Sequence, residues 1–313
     1  MSTYDLNVLR TLLDAAPTAR HVVHEAAKIL ERQGFTKWDG DGAPSAGHLS
    51  RGFFTRAGSI VAWSGIEKDS RLPLRMVGAH TDSPGLTLKP GPSASSFGFG
   101  LLNVEVYGGP LLNSWLDRDL ELAGVVTTTS GESVLFRSSE PVARISQLAI
   151  HLDRDVNDKG LVLDRHQHLR PTWTTAESAD ARELLSSLTG VKAGDLASWE
   201  CRLADVQQSS IVGDDSSMLV SGRLDNQLSC WASIHALVNA QGPSVVALFD
   251  HEEIGSQSSV GAQSSFLANV LERLFAAAGL TRSEFLEVIS TGDRKSTRLN
   301  SSHVSESRMP SSA

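Results

Sequence analysis

The chain opens with two segments whose apolar residues recur at helical spacing. Residues 5–14 and 17–33 carry this pattern, with Pro17 near a helix start and Gly34 just past a helix end. Proline at the first helical position and glycine after the last one are common boundary signals. The segments "DNQLSCWASIHALVNAQG" (225–242) and "AQSSFLANVLERLFAAAG" (262–279) repeat the spacing and also end in glycine. The pattern therefore predicts helices at both ends of the chain.

Two short apolar runs predict buried strands. "RMVGAH" (75–80) and "SVVALFD" (244–250) are mostly apolar, contain β-branched residues and lead into polar clusters. Runs of this kind are typical of parallel strands that are covered on both faces. We expect the polar clusters to form functional loops at the strand ends. A third run, "FLEVIS" (285–290), resembles a further strand.

The middle of the chain has a different pattern. Between residues 103 and 170, stretches such as "VEVYGG", "LAGVVTTTS" and "ESVLFRS" alternate apolar with polar positions around Gly and Ser turns. This alternation predicts antiparallel β structure. A layer of helices and strands interrupted by a β-rich insert indicates one α/β domain, split in sequence, with a second domain placed inside it.

Composition and charge narrow the class of protein. The 313 residues are 40% hydrophobic and 20% charged, which is ordinary for a globular protein. The net charge of −8 offers no basic stripe for nucleic acid and no attraction to an anionic membrane. Two cysteines outside any CxxC spacing are too few for a disulfide framework. We expect a cytoplasmic protein without nucleic-acid or membrane partners.

The last residues, 293–313, lack apolar periodicity and are rich in Ser and Arg. A disordered tail would have this composition. However, the segment back-translates into codons that resemble a common sequencing adapter, in two stretches that share one frame. We therefore expect the native sequence to end near Gly292 and the rest to be read-through. Sequencing source DNA across that codon tests this expectation.

Candidate chemistry lies at the two strand ends and at one helix start. His80 and Asp82, two apart in "GAHTDSP", can point to one side of a strand end. Asp225 in "GRLDN" stands where it is either a helix N-cap or a metal ligand. Glu252 and Glu253 follow Asp250 after the second strand, where they form either an acidic surface loop or a metal site.

A bound cation would offset the repulsion among these carboxylates. One glutamate can then bind the metal while its neighbour, facing the other way, accepts a proton. One histidine and several carboxylates from three chain positions are typical of a two-metal hydrolase. Nitrogen and oxygen ligands without thiolate suit Zn, Mn or Co.

Five ordered motifs resemble the successive signatures of aspartyl aminopeptidases, the M18 family of metallopeptidases. They are "VGAHTDSPGLTLKP", "VEVYGGPLLNSWLDRDLELAG", "RISQLAIHLDRDVN", "GRLDNQLSCWASIHAL" and "LFDHEEIGSQSSVGAQS". The resemblance implies an α/β fold: a co-catalytic metallopeptidase domain of α/β/α, phosphorylase/hydrolase-like architecture with an inserted β-rich dimerisation domain. The implied divisions are residues 1–90 and 215–292 for the two parts of the catalytic domain, the second incomplete, 91–214 for the insert and 293–313 for the non-native tail.

The resemblance also implies a role for each candidate residue. His80 would bind one of two zinc ions, Asp225 would bridge both, and Glu253 would bind the other. Glu252 would be the general base, and Asp82 would support the His80 side.

His151, in "LAIHL", matches a family histidine that reaches into a neighbouring subunit's active site, although a histidine at a sheet surface is the alternative. The implied partners are peptide substrates and further copies of the chain in a homo-oligomer, assembled through the inserted domain.

The implied function is release of N-terminal Asp or Glu from peptides by a water molecule that two metal ions activate. Family members continue with an Asp ligand, an alanine–histidine segment, a basic residue and a late histidine ligand. Asp293 lies about where that Asp ligand belongs, but it falls in the adapter-like segment. The other features are missing from the sequence, so we expect the chain as written to be an inactive fragment. Two other classes stay open: a metallohydrolase of other specificity, either a broad aminopeptidase or a deacylase, and a non-enzymatic assembly subunit.

Overall fold

The computed structural model describes residues 6–66, 74–291 and 293–296. The helices are α1 (Leu6–Ala15), α2 (Ala19–Arg32), α3 (Ala46–Ser50), α4 (Val156–Lys159), α5 (Ala181–Thr189), α6 (Leu224–Val238), α7 (Phe266–Ala277) and α8 (Arg282–Thr291). The strands are β1 (Thr36–Lys37), β2 (Arg51–Arg56), β3 (Ser59–Ser64), β4 (Arg75–His80), β5 (Gly85–Ser96), β6 (Phe99–Tyr107), β7 (Asp119–Thr128), β8 (Ser133–Arg137), β9 (Ala143–Arg144), β10 (Thr172–Thr174), β11 (Leu196–Asp205), β12 (Ser210–Val212), β13 (Met218–Val220), β14 (Ser244–Phe249) and β15 (Asp293–Ser296).

A six-stranded sheet with the order β1-β2-β3-β14-β4-β15 forms the centre of the first unit. The two strands predicted from sequence, β4 and β14, are parallel neighbours, and Phe249 pairs with His80 at their ends. This pairing confirms the predicted parallel strands. It brings the loops that follow β4 and β14 to the same edge of the sheet, where sites form in open α/β sheets.

Helices cover both faces of this sheet. On one face, α1, α2 and α6 pack against Val246 and Leu248 of β14. On the other face, α7 and α8 pack against Val245 and Ala247 of the same strand. Successive side chains of a strand point to opposite faces, so an uninterrupted apolar run supplies both layers. The result is the α/β/α architecture that the family resemblance implies.

The inserted unit is a seven-stranded sheet with its own hydrophobic core. Its strand order is β11-β5-β6-β10-β9-β7-β8, and β11 also pairs with β7 along residues 196–205, which closes the sheet on itself. Every pairing between these seven strands is antiparallel. The prediction of antiparallel structure holds for residues 103–144. It is wrong for residues 146–170, which contain turns and the short α4 but no strand.

The prediction of a strand at "FLEVIS" is also wrong, because these residues belong to α8. Phe285 packs against Phe275 of α7, with ring centroids 5.5 Å apart, and Val288 packs against the same core three residues later. Thr281 and Glu284 exchange hydrogen bonds at the start of α8. A Thr followed three residues later by Glu is the sequence signature of a helix start, and it favours the helix here.

Two further observations bear on the predictions. None of the helices that the structure describes is both long enough and apolar enough to cross a membrane.

The implied domain boundaries at residues 90 and 214 stay predictions. β5, which starts at Gly85, runs through residue 90, and the hairpin of β12 and β13 spans residues 210–220.

Candidate metal centre

His80 ends β4 and presents one ring nitrogen to a group of carboxylates. Its Nδ1 lies 3.0 Å from the backbone oxygen of Asp82 and 3.4 Å from Oδ1 of the same residue. The Nε2 atom faces Asp225 Oδ1 at 3.3 Å and Glu252 Oε2 at 4.0 Å. In the tautomer that donates from Nδ1 to Asp82, Nε2 has a lone pair for a metal. This is the usual arrangement of a metal-binding histidine and its supporting carboxylate.

Asp82 is almost fully buried. Its carboxylate contacts His80 at the end of β4, Tyr107 of the inserted unit and the loop after β14. Its Oδ2 accepts hydrogen bonds from the Tyr107 hydroxyl at 2.7 Å and from the backbone N–H of Glu253 at 3.1 Å. Its Oδ1 accepts from the backbone N–H of Glu252 at 3.1 Å. Burial raises the pKa of Asp82, but hydrogen bonds from His80 and Tyr107 outweigh it and hold the pKa below its ordinary value. Asp82 therefore stays ionised and fixes the loop after β14.

The acidic loop after β14 places two glutamates beside His80. Glu252 and Glu253 start a short 3₁₀ turn between His251 (φ 66°) and Gly255 (φ 98°), which both adopt the left-handed conformation. Burial is the largest cause that raises the pKa of Glu253, His80 opposes it and the neighbouring carboxylates add to it, and the net result is a pKa of about 7. Ligand atoms of His80, Glu252 and Glu253 all lie within 4.8 Å of one another. One imidazole nitrogen and crowded carboxylates at this separation fit a divalent cation.

Asp225 stands at the start of α6, but it does not cap the helix. Its backbone is non-helical (φ −84°, ψ 106°), and no side-chain hydrogen bond caps α6 in the part of the chain described. The side chain instead faces His80, and the backbone oxygen accepts from Ser83 Oγ at 3.0 Å. With 46% of its side chain exposed, Asp225 lies on the open side of the site. The geometry favours the ligand interpretation over the cap.

Tyr107 is a site residue that sequence reasoning did not single out. It ends β6 of the inserted unit and donates its hydroxyl to Asp82 of the other unit. Burial, together with the charge of Asp82, raises the pKa of Tyr107, so the hydroxyl stays a donor. A Cβ at Gly108 (φ +66°) would come within 3.1 Å of the Glu253 Cβ. The "YGG" motif at a strand end therefore marked a close approach between the two units.

We expect Tyr107→Phe to weaken zinc binding by about 10-fold to 100-fold, because Asp82 loses a donor that fixes the ligand shell. Competition against a chromophoric chelator measures the change. Ser187→Ala, which removes an exposed hydroxyl on α5, serves as the control. An unchanged affinity in Tyr107→Phe would mean that the Tyr107–Asp82 hydrogen bond does not support the site.

Two residues singled out in the sequence, His151 and Cys230, do not belong to the group of side chains around His80. His151 lies in an exposed turn of the inserted unit, so the alternative of a histidine at a sheet surface is wrong. Its assignment to a neighbouring subunit stays a prediction. Cys230 is buried and donates its thiol to the His80 backbone oxygen at 3.0 Å. Burial raises the pKa of that thiol, which agrees with the predicted packing role.

Comparisons with known proteins decide the family. The sequence profile of the family described as "Aminopeptidase I zinc metalloprotease (M18)" matches residues 12–307. The chain belongs to the M18 aminopeptidase family. It is 42% identical over 289 residues to a probable M18 family aminopeptidase 2 of Streptomyces avermitilis, an alignment that covers 87% of the chain. The family profile extends past Gly292. That residues 293–313 are non-native stays a prediction.

Solved M18 structures share the fold. An M18 aminopeptidase from Thermotoga maritima aligns with a TM-score of 0.79 at 25% identity, covering 94% of this chain and 70% of that one. The S. cerevisiae mApe1 dodecamer aligns with a TM-score of 0.70 at 25% identity, covering 87% of this chain and 66% of that one. The chain spans 65% of the length of the Streptomyces relative.

Proposed function

We propose that the chain carries the metal centre of an aminopeptidase that releases N-terminal acidic residues from peptides. The observation that carries the proposal is the orientation of His80. Its Nδ1 is held by Asp82, while its Nε2 faces the carboxylates of Asp225 and Glu252. Membership of a zinc metalloprotease family supports the peptidase assignment.

The residues present would hold two divalent ions, with zinc as the first choice and Mn or Co as alternatives. We assign His80 to one ion, Glu253 to the other and Asp225 to both. Bound ions of this kind lower the pKa of water toward ~7 and polarise a carbonyl group. The raised pKa of Glu253, caused first by burial and then by the neighbouring carboxylates, supports the assignment, because a cation beside Glu253 would stabilise its ionised form.

We assign Glu252 as the general base. Its backbone N–H is held by Asp82, and its carboxylate is 21% exposed beside His80. It would take a proton from the attacking water and pass it to the departing amine, as a positioned carboxylate does in acid–base catalysis. Asp82 would keep the His80 ring oriented during the reaction through its contacts with Nδ1.

The preference for acidic residues rests on the family resemblance, and substrate comparison tests it. We expect an Asp-peptide to be cleaved faster than a Leu-peptide, and an N-acyl peptide not to be cleaved. Because the chain spans 65% of the length of a curated relative, the assay uses the product of the uninterrupted genomic reading frame beside the 313-residue chain. Preference for Leu would indicate a broad aminopeptidase, and cleavage of the N-acyl peptide a deacylase. Absence of both turnover and metal binding would favour an assembly subunit.

We also propose that the chain forms a homo-oligomer through its inserted unit. The mApe1 relative forms a dodecamer, and the segment around His151 exposes apolar side chains that a neighbouring copy could cover. They are Leu148, Ile150 and Leu152.

Both cysteines are free and buried, which supports a reducing compartment such as the cytoplasm.

A further inference from the structure

The acidic loop after β14 is closed at its base by one buried side chain of β3. Ser59 Oγ accepts the backbone N–H of Asp250 at 2.8 Å and donates to the backbone oxygen of Val260 at 2.9 Å. Both ends of the loop are therefore tied to the central sheet. The two glutamates of the proposed metal centre lie between these ends, so the base alone does not determine where their side chains point.

The backbone of His251, directly before the glutamates, is held on both sides. Its N–H donates to Asp250 Oδ1 at 2.8 Å, and its oxygen accepts the Ser256 N–H at 2.8 Å. The residue adopts the left-handed conformation, with φ 66°, which is uncommon for residues with a side chain but less so for His and Asn. A change of this conformation would redirect the backbone that carries Glu252 and Glu253.

The imidazole of His251 connects the start of the loop to its far side. Its Nδ1 atom lies 2.7 Å from Ser258 Oγ, which also accepts the backbone N–H of Gly261 at 3.1 Å. Its Nε2 atom lies 3.7 Å from the carboxylate Oδ2 of the buried Asp250. That carboxylate favours the tautomer with its proton on Nε2. Nδ1 then accepts the hydroxyl proton of Ser258, and the side chain links both halves of the loop.

This link complements the support that Asp82 gives from the opposite side. Asp82 accepts the N–H groups of Glu252 and Glu253, each at 3.1 Å. The glutamates are therefore placed by Asp82 on one side and by the turn at His251 on the other. Groups that orient metal ligands through hydrogen bonds typically change metal affinity by about 10-fold to 100-fold when they are removed.

We propose that His251 is a positioning residue of the proposed metal centre. Its hydrogen bond with Ser258 holds the turn that presents the carboxylates of Glu252 and Glu253 to His80. His251 itself contacts neither metal nor substrate. The inference rests on the proposed function, because it concerns the residues assigned there as ligand and base.

Zinc affinity of the 313-residue chain, measured by competition against a chromophoric chelator, tests the proposal. Ser258→Ala and His251→Leu both remove the hydrogen bond, and each should weaken zinc binding by about 10-fold. His251→Asn should restore wild-type affinity, because Asn tolerates the left-handed conformation and places an acceptor oxygen where Nδ1 stood. Leu has nearly the shape of Asn without the acceptor, so this pair isolates the hydrogen bond.

Ser259→Ala removes an exposed hydroxyl next to Ser258 and is the matched control, with wild-type affinity expected. A merely structural role of His251 would lower the unfolding midpoint but leave zinc affinity unchanged below that midpoint. Wild-type affinity in Ser258→Ala would therefore overturn the proposal even if His251→Leu fails to fold. An equal loss in His251→Asn and His251→Leu would also overturn it.

Hydrogen exchange of the metal-free chain separates this inference from the proposed function. In Ser258→Ala, the amides of Glu252 and Glu253 should exchange about 10-fold faster, because local opening of the loop becomes easier. The amide of Val246, within β14, should keep its wild-type rate. Unchanged exchange at both glutamates would overturn the proposal. Faster exchange in Ser258→Ala, together with no zinc binding by the wild type, would contradict the proposed metal centre and leave the support of the loop by His251 standing.

Discussion

In the product of the uninterrupted genomic reading frame, Glu252→Gln is expected to lower the turnover number for an N-terminal Asp peptide by a factor of about 10²–10⁴, the usual contribution of a general base. The substitution preserves the size of the side chain and leaves the backbone N–H that Asp82 holds. Zinc content should therefore change little, because His80, Asp225 and Glu253 remain. Steady-state kinetics together with elemental analysis of the same preparation separates loss of the base from loss of the metal.

The matched control for this experiment is Glu272→Gln, which neutralises an exposed glutamate on α7. It should keep wild-type turnover and zinc content. If Glu252→Gln retains full activity, Glu252 is not the base. A loss of turnover that is proportional to a loss of zinc would assign Glu252 to the ligand set, which its position within 4.8 Å of the His80 and Glu253 ligand atoms also permits.

Glu253→Gln is expected to weaken zinc binding on the order of 10²–10³-fold, because a ligating carboxylate becomes a neutral amide. Competition titration of the metal-free chain against a chelator of known affinity measures the change. Glu183→Gln, at an exposed position of α5, is the control and should bind zinc like the wild type. Wild-type affinity in Glu253→Gln would exclude this carboxylate from the site.

The same variant predicts a change in pH dependence. Glu253 has a pKa raised to about 7 by burial. Burial lowers the pKa of His80, but the hydrogen bond to Asp82 and the nearby carboxylates outweigh it and raise the pKa overall. Protons therefore compete with zinc at Glu253 as the pH falls below about 7, and at His80 as the pH falls through its raised pKa. In Glu253→Gln one competing proton is gone, so log affinity should fall less steeply with decreasing pH.

The core of the site could be predicted because its geometry follows from local rules. Two buried strands with polar ends predict parallel neighbours, and the carboxyl ends of such strands meet at one edge of the sheet. The structure pairs Phe249 with His80, which brings Asp82 and Glu252 within hydrogen-bonding distance. The position of Asp225 was harder to predict, because a carboxylate at a helix start satisfies a cap and a ligand equally well in sequence.

The remaining features depended on contacts that the pattern does not encode. Tyr107 meets Asp82 only because the inserted unit docks on the loops of the other unit, a long-range contact that alternation along β6 cannot predict. The error at α8 was avoidable, since Thr281 and Glu284 carry a helix-start signature. Leu148 and Leu152, in the stretch predicted as β structure, are exposed and lie outside any strand, whereas Leu169 of the same stretch is buried in the core of the inserted unit.

The most direct test of the central claim is the position of zinc in crystals of the chain grown with the metal. An anomalous difference map at the zinc absorption edge locates bound ions without assumptions about ligands. We predict density beside His80 Nε2, between the carboxylates of Asp225 and Glu253. Zinc bound elsewhere with this position empty, or no bound zinc at all, would contradict the assignment of these residues as the metal centre.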